Sequence, residues 1–218
     1  MTDRTILCFG DSNTHGTRAM RTMVDRRRFA PDQRWPNIMA AALGPLFEVI
    51  AEGQPGRNAV FDDPVEGAHK NGLRALPILL ESHRPIDLVI VMLGTNDLKA
   101  RFSVPVSDIA IGIERLVMEI LRSDAGPKSQ PPKVLVAAPV PIIETGFLGQ
   151  VFAGGTAKSH DLPNHLRDLA KRRRVGFVDL GEVAEVDPVD GIHLGAKAQA
   201  AIGAAMTEAV IKVLGKDG

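Results

Sequence analysis

The chain has 218 residues, enough for one hydrophobic core of ordinary size and short for two independent ones, so residues 1–218 read as a single domain. Its 26 basic and 26 acidic side chains cancel, which argues against nucleic acid or an anionic membrane as partner and favours a small neutral substrate. The single cysteine, Cys8, excludes an intramolecular disulfide and a thiolate zinc site; no apolar run reaches the length of a membrane span, and the N-terminal apolar stretch is too short for a signal peptide, so a cytoplasmic location is expected.

In chain order, short β-rich runs alternate with longer segments of helical periodicity. The first strand is expected at "TILCFG" near residue 5, with a helix over about 33–44; the second begins "FEVIA" at Phe47, with a helix over about 70–83. The third lies in "DLVIVMLG" from Asp87, followed by a helix over about 107–123, and the fourth in "KVLVAAP" from Lys133, followed by a helix over about 160–173. "VGFVDL" from Val175 is the fifth strand, and a last helix spans about 195–214, where Ile202, Met206, Ala209, Val210 and Val213 share one face. The strands are almost continuously apolar, as strands covered on both faces should be. This alternation predicts an α/β fold: a three-layer α/β/α sandwich around a flavodoxin-like parallel sheet of about five strands.

Ligands of such sheets bind beyond the carboxyl ends of the strands. Four segments should meet there: "GDS" with Ser12 after the first strand, "AEGQPGRNA" with Gly53 and Gly56 after the second, "GTND" (Gly94 to Asp97) after the third and "PVPI" (Pro139 to Ile142) after the fourth. Each alone has a plain explanation in turns and caps. "DPVDGIHLG", Asp187 to Gly195, sets Asp190 three residues before His193, a spacing at which a carboxylate can orient an imidazole, although capping plus a surface histidine would read the same. Together Ser12, Asp190 and His193 supply the nucleophile, orienting acid and base of acyl transfer in that chain order.

These blocks, in this order, resemble those of the SGNH, or GDSL, hydrolase family over nearly the whole chain. Longer stretches, "ILCFGDS", "RFAPDQRW", "FEVIAEG", "DLVIVMLGTNDLKA", "PPKVLV" and "VDGIHL", are similar to its bacterial aryl esterase and acyltransferase branch. The resemblance implies Ser12 as nucleophile, His193 as general base and Asp190 as its orienting acid. It further implies an oxyanion hole of the Ser12 and Gly56 backbone N–H groups and the Asn96 side-chain amide, with no cofactor. Asp11 and Asp97 are assigned support by capping or loop anchoring. Short-chain acyl esters of aryl, alkyl or carbohydrate alcohols are the implied substrates, with acyl transfer, thioester and lysophospholipid hydrolysis as alternatives on the same residues. His15 departs from the branch, which tends to have tryptophan there, and reads either as a substrate contact or as an exposed loop histidine. The loop "PIIETGFLGQVFAGG", with Phe147, Leu148, Val151 and Phe152, reads as an entrance wall or a subunit contact, and homo-oligomerisation is expected.

Two rival readings have little support. A dinuclear metallophosphoesterase also uses Gly-Asp blocks at strand ends, but the six histidines include no Gly-Asn-His element, and no metal ligand set is expected. A non-catalytic ligand-binding module on a flavodoxin-like sheet lacks support, since no Gly-x-Gly-x-x-Gly follows the first strand and no Walker sequence occurs. The basic runs "RTMVDRRRF" and "KRRR" lack interleaved aromatics and read as solvated faces.

Overall fold

The structure, a computed structural model, describes residues 4–215. Five parallel strands, β1 (Arg4–Gly10), β2 (Phe47–Gly53), β3 (Leu88–Met92), β4 (Lys133–Ala138) and β5 (Gly176–Asp179), form one sheet in the order β2-β1-β3-β4-β5. Each strand falls where its apolar run predicts it. The helices are the short α1 (Ser12–His15), then α2 (Trp35–Leu43), α3 (Gly72–His83), α4 (Val106–Arg122), α5 (Gly155–Arg173) and α6 (Ala196–Leu214).

Alternate strand residues feed two cores. Leu7, Phe9, Val89, Val91, Val134 and Val136 pack under α3, α4 and α5. Ile6, Cys8, Leu88, Ile90, Leu135 and Ala137 face Trp35 and Met39 of α2 and Ile202, Met206 and Val210 of α6. The result is the expected three-layer sandwich. Burial pushes the Cys8 thiol far above its ordinary range, so this side chain is an inert core group.

Helix α5 begins five residues before the expected 160. The polar "GGTAKS" before that expected start carries no helical signal, but Gly155 packs against Ile142 and Leu98, and the buried Ser159 hydroxyl accepts the Ile142 N–H at 3.0 Å, so tertiary contacts extend the helix. Several apolar residues of the 141–155 loop also turn inward: Ile142 and Phe152 are buried, and Leu148 and Val151 pack against the core beneath α4 and α5, while Ile143 stays exposed. Of the basic runs, Arg172 and Arg173 both pair with Glu114 of α4.

The sheet winds outward in both directions from β1 and β3, which pair directly, with Gly10 opposite Met92; Gly10 also lies opposite Gly53 of β2. Such a switch point opens the crevice where ligands of doubly wound sheets bind. Gly53 carries a steric demand there, since a Cβ on it would stand 2.2 Å from His15 N and 2.6 Å from the Thr14 carbonyl carbon. Both obstacles are backbone. Gly53→Ala is therefore expected to cost about 3 kcal/mol and to lower the melting temperature by roughly 5–10 °C in a thermal scan.

Candidate active site

Strand β1 ends in Gly10, and Asp11 caps α1 by accepting the Asn13 N–H at 2.9 Å. Ser12 is thereby the first helical residue, buried at the switch point. Its backbone N–H finds no acceptor among the described residues, as expected of a first-turn donor.

Beyond β3, Asn96 opens a single helical turn over Asn96–Leu98. Its Nδ2 donates to Asp11 Oδ2 at 3.3 Å, which orients the amide so that nitrogen, not oxygen, faces Asp11. The loop after β2 is fixed at both ends. Arg57 Nη1 donates to Gly10 C=O at 2.8 Å and also to Glu52 C=O, while its guanidinium lies 4.3 Å from the Phe9 ring centroid. The Ala59 N–H donates to Asp97 Oδ1 at 2.9 Å. Just before these anchors Gly56 adopts φ +83°, a left-handed conformation that glycine tolerates best, and its N–H is also free of partners among the described residues.

From the other side comes the segment before α6. His193 Nδ1 lies 2.6 Å from Asp190 Oδ2, both side chains out of water. Asp190 uses every acceptor site: Oδ1 takes the Ile192 and His193 N–H groups, each at 3.0 Å, and Oδ2 takes the Met20 N–H at 2.7 Å beside the ring. Burial alone would raise the Asp190 carboxyl, but the ring hydrogen bond, the charge of His193 and these backbone donors hold it below the ordinary carboxylate range. Ser12 Oγ and His193 Nε2 share no hydrogen bond in this structure. The side chain of Asn13 links the two segments instead.

Ser12, Asn96, Asp190 and His193 are thus all buried, in segments joined by the Asn96–Asp11 bond and by the two bonds of Asn13, with Gly56 in the loop after β2. Asp11 and Asp97 stand behind them, each in contact with a neighbouring loop. His15 turns Nδ1 to the Thr17 hydroxyl at 2.9 Å, and burial with nearby Arg28 and Arg34 lowers its imidazole to about 4. Four further contributors escape the sequence reading. Asn13 and Gln199 act through buried side chains, and Met20 acts through its backbone N–H. Arg57 lies inside a glycine-bearing loop whose signal is turn formation. A polar residue directly after a strand-end serine is the one signal that could have marked Asn13. Among the described residues no group of three or more His, Cys, Asp or Glu side chains is arranged to hold a metal ion.

An α/β/α sandwich with Gly-Asp-Ser at the tip of its first strand, Asn96 beyond the third and an Asp–His pair before its last helix defines a class of ester-cleaving hydrolases. The chain belongs to the GDSL-like lipase/acylhydrolase family, whose profile matches residues 8–201, and it is a carboxylic ester hydrolase. It is 41% identical to the M. smegmatis aryl esterase, over 97% of this chain and 100% of that one, with a TM-score of 0.92. It is 38% identical to Est24, a carbohydrate acetylesterase from Sinorhizobium meliloti, over 96% and 99% of the two chains, with a TM-score of 0.91. A G-D-S-L family lipolytic protein from Veillonella parvula, 14% identical over 94% of this chain and 97% of that one, shares the fold at a TM-score of 0.64. No curated protein matches the chain significantly.

Burial pushes the Asp97 carboxyl up to about 7, against the lowering hydrogen bond from Ala59, and the charge of Asp11 adds to the rise. Between the ordinary carboxylate value and about 7 the folded chain keeps a proton that the unfolded chain has released. Asp97 therefore withdraws stability as pH rises through that window. Asp97→Asn removes this titration and keeps one acceptor for the Ala59 N–H. The stability difference, variant minus wild type, should grow more positive from about pH 5 to about pH 8, by on the order of 1–4 kcal/mol, measured as paired denaturation curves.

Proposed function

We propose that the chain hydrolyses short-chain acyl esters, acetyl esters foremost, of aryl, alkyl or carbohydrate alcohols through an acyl-enzyme on Ser12. The observation that carries this reading is the buried 2.6 Å contact between Asp190 and His193, in a segment hydrogen-bonded to Asn13, the residue after Ser12. Asp190 accepts from Nδ1–H and so fixes the tautomer whose Nε2 lone pair is free to act as base. The aryl esterase and carbohydrate acetylesterase neighbours support the choice of acyl group and leaving groups.

His193 Nε2 removes the Ser12 hydroxyl proton as Oγ attacks the ester carbonyl carbon. The carbonyl π pair moves onto oxygen, which takes hydrogen bonds from the Ser12 and Gly56 N–H groups and from Asn96 Nδ2. Collapse of this tetrahedral species breaks the bond to the leaving alkoxide, and the imidazolium gives that oxygen its proton. Water then repeats the cycle on the acyl-Ser12 ester: His193 takes a water proton, hydroxide adds to the carbonyl, and Ser12 Oγ leaves with the proton returned. The carboxylic acid departs. Asp11 anchors Asn96, and Asp97 anchors the Gly56 loop, so both act through the oxyanion donors and neither exchanges protons with substrate.

Hydrolysis of p-nitrophenyl acetate with EDTA present tests the chemistry. Wild type should keep its activity in EDTA, and Ser12→Ala should lose on the order of a thousandfold or more in kcat. Inhibition by EDTA or an active Ser12→Ala enzyme would overturn the reading. Asn96→Ala should lower kcat by about 100- to 1000-fold with little change in KM, because its amide acts on charge that develops only in the transition state.

A further inference from the structure

The buried Asn13 side chain, one residue beyond Ser12, makes two hydrogen bonds to the segment before α6. Its Nδ2 donates to the Ile192 C=O at 3.1 Å, and its Oδ1 accepts from the Leu194 N–H at 3.2 Å. These are the peptide groups on either side of His193. The two remaining groups there are also engaged: the His193 N–H donates to Asp190 Oδ1 at 3.0 Å, and the His193 C=O accepts from the Asp187 N–H at 2.7 Å. Asn13 is itself held from behind, since Gln199 Nε2 donates to its C=O at 3.1 Å while Gln199 Oε1 accepts the Trp35 N–H at 2.8 Å.

We propose that Asn13 is a positioning residue that sets the distance and angle between Ser12 and His193 by clamping both peptide planes that flank the histidine. The proposal rests on the reading of His193 as the base that serves Ser12. Asp190 fixes the rotation of the imidazole about its own bonds, but it travels with the same segment as His193. Asn13 travels with Ser12. The other tie from the Ser12 side, the Met20 N–H, reaches the Asp190 carboxylate and leaves the His193 backbone untouched. Only a side-chain amide of this length offers a donor to one carbonyl and an acceptor to one N–H two residues on. Leucine would fill the volume and satisfy neither, and aspartate would lose the donor.

Asn13→Leu, Asn13→Ala and Asn13→Asp, each checked for native circular dichroism at the assay temperature, carry the test. The expected result is a kcat lowered about 10- to 100-fold with KM within about twofold, the size of effect that a displaced catalytic group produces. The low-field proton resonance of the Asp190–His193 hydrogen bond should shift or broaden in the same variants, and Asn13→Asp should recover part of the loss. A kcat within twofold of wild type, with that resonance unmoved, overturns the proposal. If the variants do not fold, amide hydrogen exchange in the wild type decides. The Leu194 N–H should be strongly protected, and exchange as fast as that of an exposed loop amide overturns the clamp. His193→Ala, assayed alongside, separates the two levels: if it stays active, the proposal falls together with the role of His193, whereas an inactive His193→Ala beside active Asn13 variants removes the clamp alone.

Discussion

Of the carboxylates that lie out of water at the carboxyl edge of the sheet, Asp11, Asp97 and Asp190 dictate, by the need to satisfy each one, how the surrounding loops meet. A buried carboxylate left without donors costs several kcal/mol, and removing a partner from such a site typically costs about 3–5 kcal/mol. Each is met differently. Asp190 collects three backbone N–H groups and an imidazole, enough to keep it ionised despite burial. Asp11 has one backbone and one side-chain donor, and burial pushes it up to about 6. Asp97, with its donor from Ala59, rises further. The acid best supplied with hydrogen bonds is the one beside the imidazole, where a fixed negative charge stabilises an imidazolium.

The same bonds tie together loops that the chain leaves far apart. Asp11 joins the β1 loop to Asn96 beyond β3, Asp97 joins that turn to the loop beyond β2, and Asp190 joins the segment before α6 to residue 20. Arg57 adds a fourth tie by lying on Phe9 and donating to the final carbonyl of β1; burial lowers its guanidinium to about 10, partly offset by Glu52 and Asp11. Strand pairing aligns Gly10, Met92 and Gly53 at one level, and the polar ties then bring the loops from that level into one crevice. Precision at the site is thus a property of the edge as a whole.

The sheet and its helices were legible because their signals are local and repeated: continuous apolar runs for buried strands, and a 3.6-residue period for α6. The blocks that carry Ser12, Asn96, Asp190 and His193 were legible as well, since strand ends and a short Asp-to-His spacing are visible in one dimension. What stayed hidden depends on side chains or backbone groups meeting across the fold. The Met20 N–H donates to Asp190 through a group every residue type but proline possesses, so no sequence pattern marks it. The first turn of α5 exists because Ser159 finds Ile142, a contact across a loop. Phe147, Leu148, Val151 and Phe152 read as surface because loops usually are surface, yet Phe152 enters the core and two of its neighbours cover it.

The balance of charge in the whole chain repeats itself at the edge. Asp63 is buried between Lys99, at 3.4 Å, and Arg101, at 3.1 Å, and Glu66 takes the same two cations on its exposed side. Arg57 lies near Asp11, and His193 near Asp190. These cations are thereby set beside acids of the same edge. In the proposed mechanism an oxyanion forming beside Asp11 would meet a negative neighbour, and the Asn96 amide, which donates to that carboxylate with one N–H, would keep the other for the oxyanion. In that mechanism the arrangement suits an ester neutral in its ground state, whose negative charge appears only as the carbonyl is attacked.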